Sequence, residues 1–190
     1  LDHVDIGMRP DLLDMLYTGS FYSFRRPVEL VRAVVAAGSA RLSIATSRAP
    51  RWLREAAEAH PESIQVLGFL PHETVVALQR RADVLVNIAN DDEAHIPGKL
   101  YEYLGSGRPI LHLDAGKGDE AADLVRELRR GLVRLNEEGQ IVDALDTLKA
   151  LKSSGRMAEA FDLDPATVED YSWQSIGRQL ARQLNVLAGR

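Results

Sequence analysis

The feature that most constrains this chain is an alternation. Short β-like apolar runs take turns with amphipathic helical stretches all the way from Met15 to Leu151. The runs Met15–Tyr17, Arg41–Ala45, Ile64–Leu67, Asp83–Ile88, Ile110–Leu113 and Leu132–Leu135 predict strands. The stretches Val28–Ala37, Pro50–His60, Glu73–Ala82, Gly98–Leu104, Asp119–Arg129 and Gln140–Leu151 predict helices. Strand–helix–strand repetition at this pace implies an α/β fold: a Rossmann-like open parallel sheet of about six strands with helices on both faces. Asp83–Ile88 is apolar almost throughout, as a strand covered on both sides must be. The helix stops are legible too. Gly38 follows one helix, Gly105-Ser106-Gly107 follows another, and Pro109 prevents continuation. Pro50 and Pro97 stand where first-turn prolines belong.

After Leu151 the pattern breaks at the polar stretch Lys152–Gly155. A short segment around Met157–Phe161 follows, then a long C-terminal helix, Ser172–Leu187, with Ser172 as its N-cap. Leu1–Leu13 carries no clear pattern and reads as an internal boundary of a longer protein. With no repeat, 190 residues fit a single domain over 1–190, in which 172–188 is the closing helix.

Charge narrows the partners. The net charge is -5, and a chain that lives on nucleic acid usually carries a basic excess, so no nucleic-acid partner is expected. There is no cysteine, which excludes disulfides and thiolate metal sites and fits a reducing compartment. The apolar runs are far too short to span a bilayer.

An open parallel sheet binds ligands where the strand ends lead into loops and helix starts. Two such loops carry chemistry. The first is Tyr17-Thr18-Gly19-Ser20-Phe21-Tyr22-Ser23-Phe24-Arg25-Arg26-Pro27. Gly19 permits a sharp exit from the strand. Arg25 and Arg26 offer guanidinium forks that match phosphate oxygens, next to a helix start. The same two arginines would also make an ordinary solvated pair. A single glycine is neither the dinucleotide fingerprint nor a Walker loop.

The second is the acidic loop Asp91-Asp92-Glu93-Ala94-His95-Ile96 with the helix it enters, Pro97-Gly98-Lys99-Leu100-Tyr101-Glu102-Tyr103-Leu104. Gly98 costs a helix about 1 kcal/mol against alanine, which makes sense if something must approach the first turn. Lys99 adds anion preference. Glu102 lies three residues on, so both share one face. A carboxylate beside a phosphate site suits a neighbouring diol, whose two hydroxyls donate to two oxygens. The competing reading is a surface Lys99–Glu102 ion pair of little worth. Leu100 and Leu104 point to the core.

These residues resemble the C-terminal domain of GT-B glycosyltransferases, specifically the large retaining family that includes sucrose synthases and bacterial mannosyl- and glucosyltransferases. Pro97 through Leu111 is similar to the helix carrying the second of that family's paired glutamates, with its Gly-x-Pro turn into the next strand. Tyr17-Thr18-Gly19 through Arg26 is similar to its phosphate loop. Val66-Leu67-Gly68-Phe69-Leu70-Pro71, then Leu78 to Val86, resembles the segment that borders the nucleobase. Tyr171-Ser172-Trp173 resembles the aromatic approach to the helix that crosses back to the N-terminal domain.

The resemblance implies half of a GT-B fold and a nucleoside-diphosphate-sugar donor as substrate, with no cofactor and no metal. It assigns the diphosphate to Arg26, with Arg25 or Lys99, and the ribose hydroxyls to Glu102. Leu67 and Leu70 would flank the base, and Gly19, Ile96 and Gly98 would complete the donor site. Glu93 and His95 would face the donor sugar as catalytic residues. One departure stands out. The family places seven residues between its paired glutamates, which reaches Ala94 here, so Glu93 sits one place off. The N-terminal acceptor domain is absent from this chain. The whole protein is therefore expected to be a cytoplasmic glycosyltransferase, with peripheral membrane contact allowed and the isolated half inactive. A non-catalytic interaction or nucleotide-sensing domain and a GT-B-like epimerase are the alternatives.

Other residues carry blander readings. His3, His60, His72 and His112 lack metal-ligand spacing. Asp119–Arg130 reads as a solvated helix face. Trp52 and Trp173 read as packing residues, with Trp173 exposed if its cover is the missing domain.

Overall fold

The computed structural model describes residues 6, 9–21, 27–90 and 96–187. Six strands form one sheet: β1 (Leu13–Thr18), β2 (Ala40–Ala45), β3 (Ile64–Gly68), β4 (Val84–Ile88), β5 (Ile110–Asp114) and β6 (Gly131–Leu135). Their order is β3-β2-β1-β4-β5-β6, and every pairing is parallel. All six predicted strands are present, each within two residues of its expected bounds at either end.

The connecting helices are α1 (Pro27–Ala37), α2 (Arg51–Ala59), α3 (His72–Arg81), α4 (Gly98–Leu104), α5 (Glu120–Glu127) and α6 (Glu138–Ser153). Then come α7 (Met157–Ala160), a 3-10 helix (Pro165–Tyr171) that the sequence did not suggest, and α8 (Trp173–Leu187). Pro50 and Pro97 precede the first helical residue rather than occupy it. Ser172 caps α8 as expected, its Oγ accepting the Ser175 amide at 3.2 Å.

The two-residue period of the strands sorts the core into two layers. Met15, Tyr17, Leu42, Ile44, Val84, Val86, Leu111 and Leu113 face α1, α2 and α6. Leu16, Leu85 and Ile110 face the opposite way, against α3, α4 and α5. Burying one leucine completely is worth about 1.5–3 kcal/mol. Substitution of a polar residue on either layer therefore costs a large share of a domain's marginal stability. Leu13 opens β1, and Ile6 is fully buried in the second layer, so the patternless N-terminal stretch contributes to the core.

The run Asp119–Arg130 is not a solvated face throughout. Arg130 is fully buried, and its guanidinium holds the chain ahead of α8 by donating to the Asp164 carbonyl and to Thr167 Oγ1 at 2.9 Å. Burial lowers its affinity for the proton, while Asp162 and Asp164 push the other way. Asp119 caps α5, its Oδ1 accepting the amides of Ala121 and Ala122 at 2.9 and 3.2 Å. Its Oδ2 lies 2.7 Å from Nε2 of the fully buried His112, whose Nδ1 lies 2.8 Å from the Asn87 amide nitrogen. An amide nitrogen only donates, so in this arrangement Nδ1 accepts and the ring proton sits on Nε2.

Burial pushes the Asp119 carboxyl up, but the hydrogen bonds from His112 and the two amides outweigh it and hold the group below its ordinary 3.8. A carboxyl depressed by folding adds stability that is complete above its unfolded pKa and is lost as pH falls through the folded value. Asp119→Asn keeps a cap acceptor and removes the charge. It is expected to cost about 1–2 kcal/mol near neutrality. In urea titrations, its deficit against the wild type should shrink as pH drops below about 4. A deficit unchanged down to pH 3 would exclude this account.

Candidate functional site

The strand order reverses between β1 and β4. Chain leaving β1 turns to α1 on one face, and chain leaving β4 turns to α4 on the other. In folds with such a reversal the usual ligand position is the C-terminal edge of the sheet between these two strands.

On the β1 side, Gly19 has φ 138°, a conformation that side chains disfavour, and its amide donates to the Ala45 carbonyl at 3.0 Å. Just beyond, Phe21 stacks on Tyr17 with ring centres 4.7 Å apart, and Trp52 lies 6.5 Å from Phe21. The Tyr17 hydroxyl donates to the Ser20 carbonyl at 3.1 Å. The start of this loop is thus pinned to the body of the protein. Trp52 packs as expected.

On the β4 side, α4 carries Gly98, Lys99 and Glu102. A Cβ placed on Gly98 meets no heavy atom within 4 Å, so packing does not demand glycine there and the space is open. Lys99 Nζ donates to Glu102 Oε2 at 2.9 Å, and both side chains are about one-third exposed. A second donor comes from α3: Gln79 Nε2 reaches the same oxygen at 3.4 Å. Among the described residues, Oε1 of Glu102 accepts no hydrogen bond.

The two sides are tied together by Tyr103, which sequence reading placed no weight on. Its buried hydroxyl accepts the Thr18 amide at 2.9 Å and pairs with Thr18 Oγ1 at 2.9 Å. Burial raises the Tyr103 pKa strongly, and the Thr18 hydrogen bonds only partly offset this, so the phenol stays neutral. This bond anchors the residue next to Glu102 to the residue next to Gly19. Its signal in the sequence was an aromatic hydroxyl inside an otherwise apolar helix face, which needs a partner when buried.

Leu67, Leu70 and Ile96 all pack, half-buried, at the margin of the second core layer, as does Tyr101. Four groups named from the sequence, Arg25, Arg26, Glu93 and His95, lie outside the described residues. Of the remaining ones, Gly19 follows β1, Gly98, Lys99 and Glu102 lie on α4, and Leu67, Leu70 and Ile96 pack against the second core layer.

A cavity of about 510 Å³ opens one strand further along, at the ends of β4, β5 and β6. It is lined by Ala89, Asp114, Lys117 and Glu137 among others, and none of the residues singled out from the sequence borders it. Its size suits a small ligand. The β5–α5 loop that forms one wall is held at its base by the Asp119–His112–Asn87 chain of hydrogen bonds.

A parallel six-stranded sheet with this strand order and helices on both faces is the architecture of one half of a GT-B fold. The chain belongs to the group 1 glycosyl transferases, whose family model matches residues 14–150. Curated protein sequences gave no match.

Among solved structures, the pneumococcal O-GlcNAc transferase GtfA, in complex with UDP and GlcNAc, is similar. Its TM-score is 0.66 at 18% identity, covering 93% of this chain and 36% of that one. WaaG, a glycosyltransferase involved in lipopolysaccharide biosynthesis, gives 0.58 at 19% identity over 86% of this chain and 48% of that one. The UDP-GlcNAc 2-epimerase of Neisseria meningitidis, bound to UDP-GlcNAc, gives 0.58 at 11% identity, covering 92% and 46%. Identities this low establish a common fold. The chain spans between about a third and a half of the length of these three structures.

Proposed function

We propose that this chain is the donor-binding half of a glycosyltransferase, holding a nucleoside-diphosphate sugar for transfer to an acceptor bound by an N-terminal domain. The observation that carries the reading is Glu102. One carboxylate oxygen is tied by Lys99 and Gln79, and the other, which accepts no hydrogen bond among the described residues, would take a ligand. A ribose offers two adjacent hydroxyl donors to such an acceptor. Arg25 and Arg26, with Lys99, would hold the diphosphate and stabilise the charge that develops on it as the sugar departs. Glu93 and His95 would face the sugar. The donor is the substrate, and the reaction needs no cofactor.

A two-domain enzyme also accounts for α8. Trp173, Ile176, Leu180, Leu184 and Leu187 recur every three or four residues and form one exposed apolar stripe, with Trp173 78% exposed. An N-terminal domain would cover that stripe and complete the cleft. Among the described residues no helix is long and apolar enough to cross a membrane.

A thermal-shift screen of UDP, GDP, ADP and dTDP tests the proposal. A ligand at about 100 times its dissociation constant should add about 2.7 kcal/mol, which raises Tm by about 5–10 °C in a domain of this size. Silence from all four would remove the donor-site reading. Sugar transfer by this chain alone would contradict its need for a second half. The fold likeness to the epimerase supports a second reading, in which the same half grips a nucleotide sugar for epimerisation. Assay of the whole protein for transfer against epimerisation separates the two.

A further inference from the structure

We infer that Gln79 is a positioning residue for the donor site, acting through Glu102 to favour a ribose over a deoxyribose. The inference rests on the donor-site reading above.

Gln79 stands out by its burial. On α3 the residues facing inward are Val75, Leu78 and Gln79, and Gln79 is only 1% exposed. The spacing i, i+3, i+4 is that of a core-facing stripe, where leucine or methionine would bury well. Burying an amide there costs free energy unless hydrogen bonding compensates. Among the described residues the compensation is one bond, Gln79 Nε2 to Glu102 Oε2 at 3.4 Å. The acceptor is a carboxylate, which strengthens the contact beyond a neutral pair.

The geometry has a directional consequence. Lys99 is on the same helix as Glu102 and, like it, is about one-third exposed. A flexible lysine at the surface is a poor guide for a carboxylate rotamer. Gln79 belongs to a different helix and is fixed by packing. It holds Oε2 from α3, while among the described residues Oε1 accepts no hydrogen bond. Lys99 is then able to leave Glu102 for a phosphate without releasing the carboxylate. The substrate preference follows from chemistry. Oε1 and the remaining lone pairs of Oε2 accept from two adjacent hydroxyls, and a 2′-deoxyribose supplies one fewer.

The test uses UDP, GDP and ADP with their 2′-deoxy counterparts, titrated against this chain by saturation-transfer NMR. Gln79→Met preserves size and apolar packing and deletes the donor. It should weaken the best-binding ribonucleotide roughly three- to tenfold and reduce its advantage over the deoxy form, an effect the size of one ordinary hydrogen bond, as suits a 3.4 Å contact acting through Glu102. In a Glu102→Ala background the same substitution should change nothing further. Gln79→Glu, of equal size, sets two carboxylates together and should weaken binding more at pH 8 than at pH 6. An equal loss for ribo and deoxy ligands in Gln79→Met, or an undiminished loss in the Glu102→Ala background, would overturn the positioning role. If Glu102→Ala itself leaves the ribo-to-deoxy ratio at its wild-type value, or if no nucleotide binds the wild type, the donor-site reading fails, and this inference with it.

Discussion

Gly131→Ala is expected to lower the stability of the protein by about 4 kcal/mol or more, the range reserved for forced backbone or core rearrangement. Gly131 opens β6 with φ 153°, and a Cβ placed there would lie 1.9 Å from the Ile110 carbonyl oxygen and 2.5 Å from its nitrogen. Both atoms are backbone, in the neighbouring strand, and Ile110 is the register partner of Gly131. No rotamer relieves the clash, so β6 must move off β5. The residue before it, Arg130, is the buried anchor of the segment ahead of α8, and its carbonyl accepts the Ile110 amide at 2.8 Å. The movement therefore spreads.

Thermal melts by circular dichroism should show a fall in Tm of about 8–16 °C. Gly139→Ala is the matched control. It lies inside α6, nothing stands within 4 Å of its added Cβ, and it should gain up to about 1 kcal/mol from helix propensity. A Gly131→Ala protein melting within 2 °C of wild type would show that the close strand approach is not what requires glycine.

The second large effect concerns binding. Glu102→Ala removes an ionised acceptor from hydroxyl donors, and hydrogen bonds to charged groups are worth about 1.5–3 kcal/mol each. Affinity for a ribonucleoside diphosphate should fall about 10–100-fold, as read by calorimetry. Stability should fall by about 1–3 kcal/mol, because the one-third-exposed Lys99–Glu102 pair contributes little while the buried Gln79 amide loses its partner. A loss of binding larger than this loss of stability distinguishes a ligand-facing carboxylate from a structural one. Unaltered affinity would return Lys99 and Glu102 to the status of a surface ion pair.

The elements of the fold were legible because their signals are local. Gly98–Leu104 was delimited to the residue by Pro97 before it and Gly105 after it, and β4 to within one residue by a run that is apolar but for Asn87. Local signals failed where a residue's surroundings come from elsewhere in the chain. Arg130 reads as one more charge in a charged helix, yet it is fully buried because the segment 162–167 folds over it. Trp173 reads as a packing residue that is exposed if its cover is another domain, and it is exposed; the sequence left this open because exposure depends on what covers a helix rather than on the helix. Gln79 did leave a trace, a polar residue at a core-facing position, but its partner lies 23 residues away on another helix.

By itself the sequence determined the six strands, the helices between them and the face of α4 that carries Lys99 and Glu102, because hydrophobic period and helix stops are written in neighbouring residues. Only the tertiary structure decided the order β3-β2-β1-β4-β5-β6, and with it the point between β1 and β4 where that order reverses. It also decided that Thr18 meets Tyr103 and that Gln79 meets Glu102. Those pairings depend on which strands lie side by side and on which helices share a face. That choice is fixed by burial summed over the whole core, and no single stretch of chain encodes it.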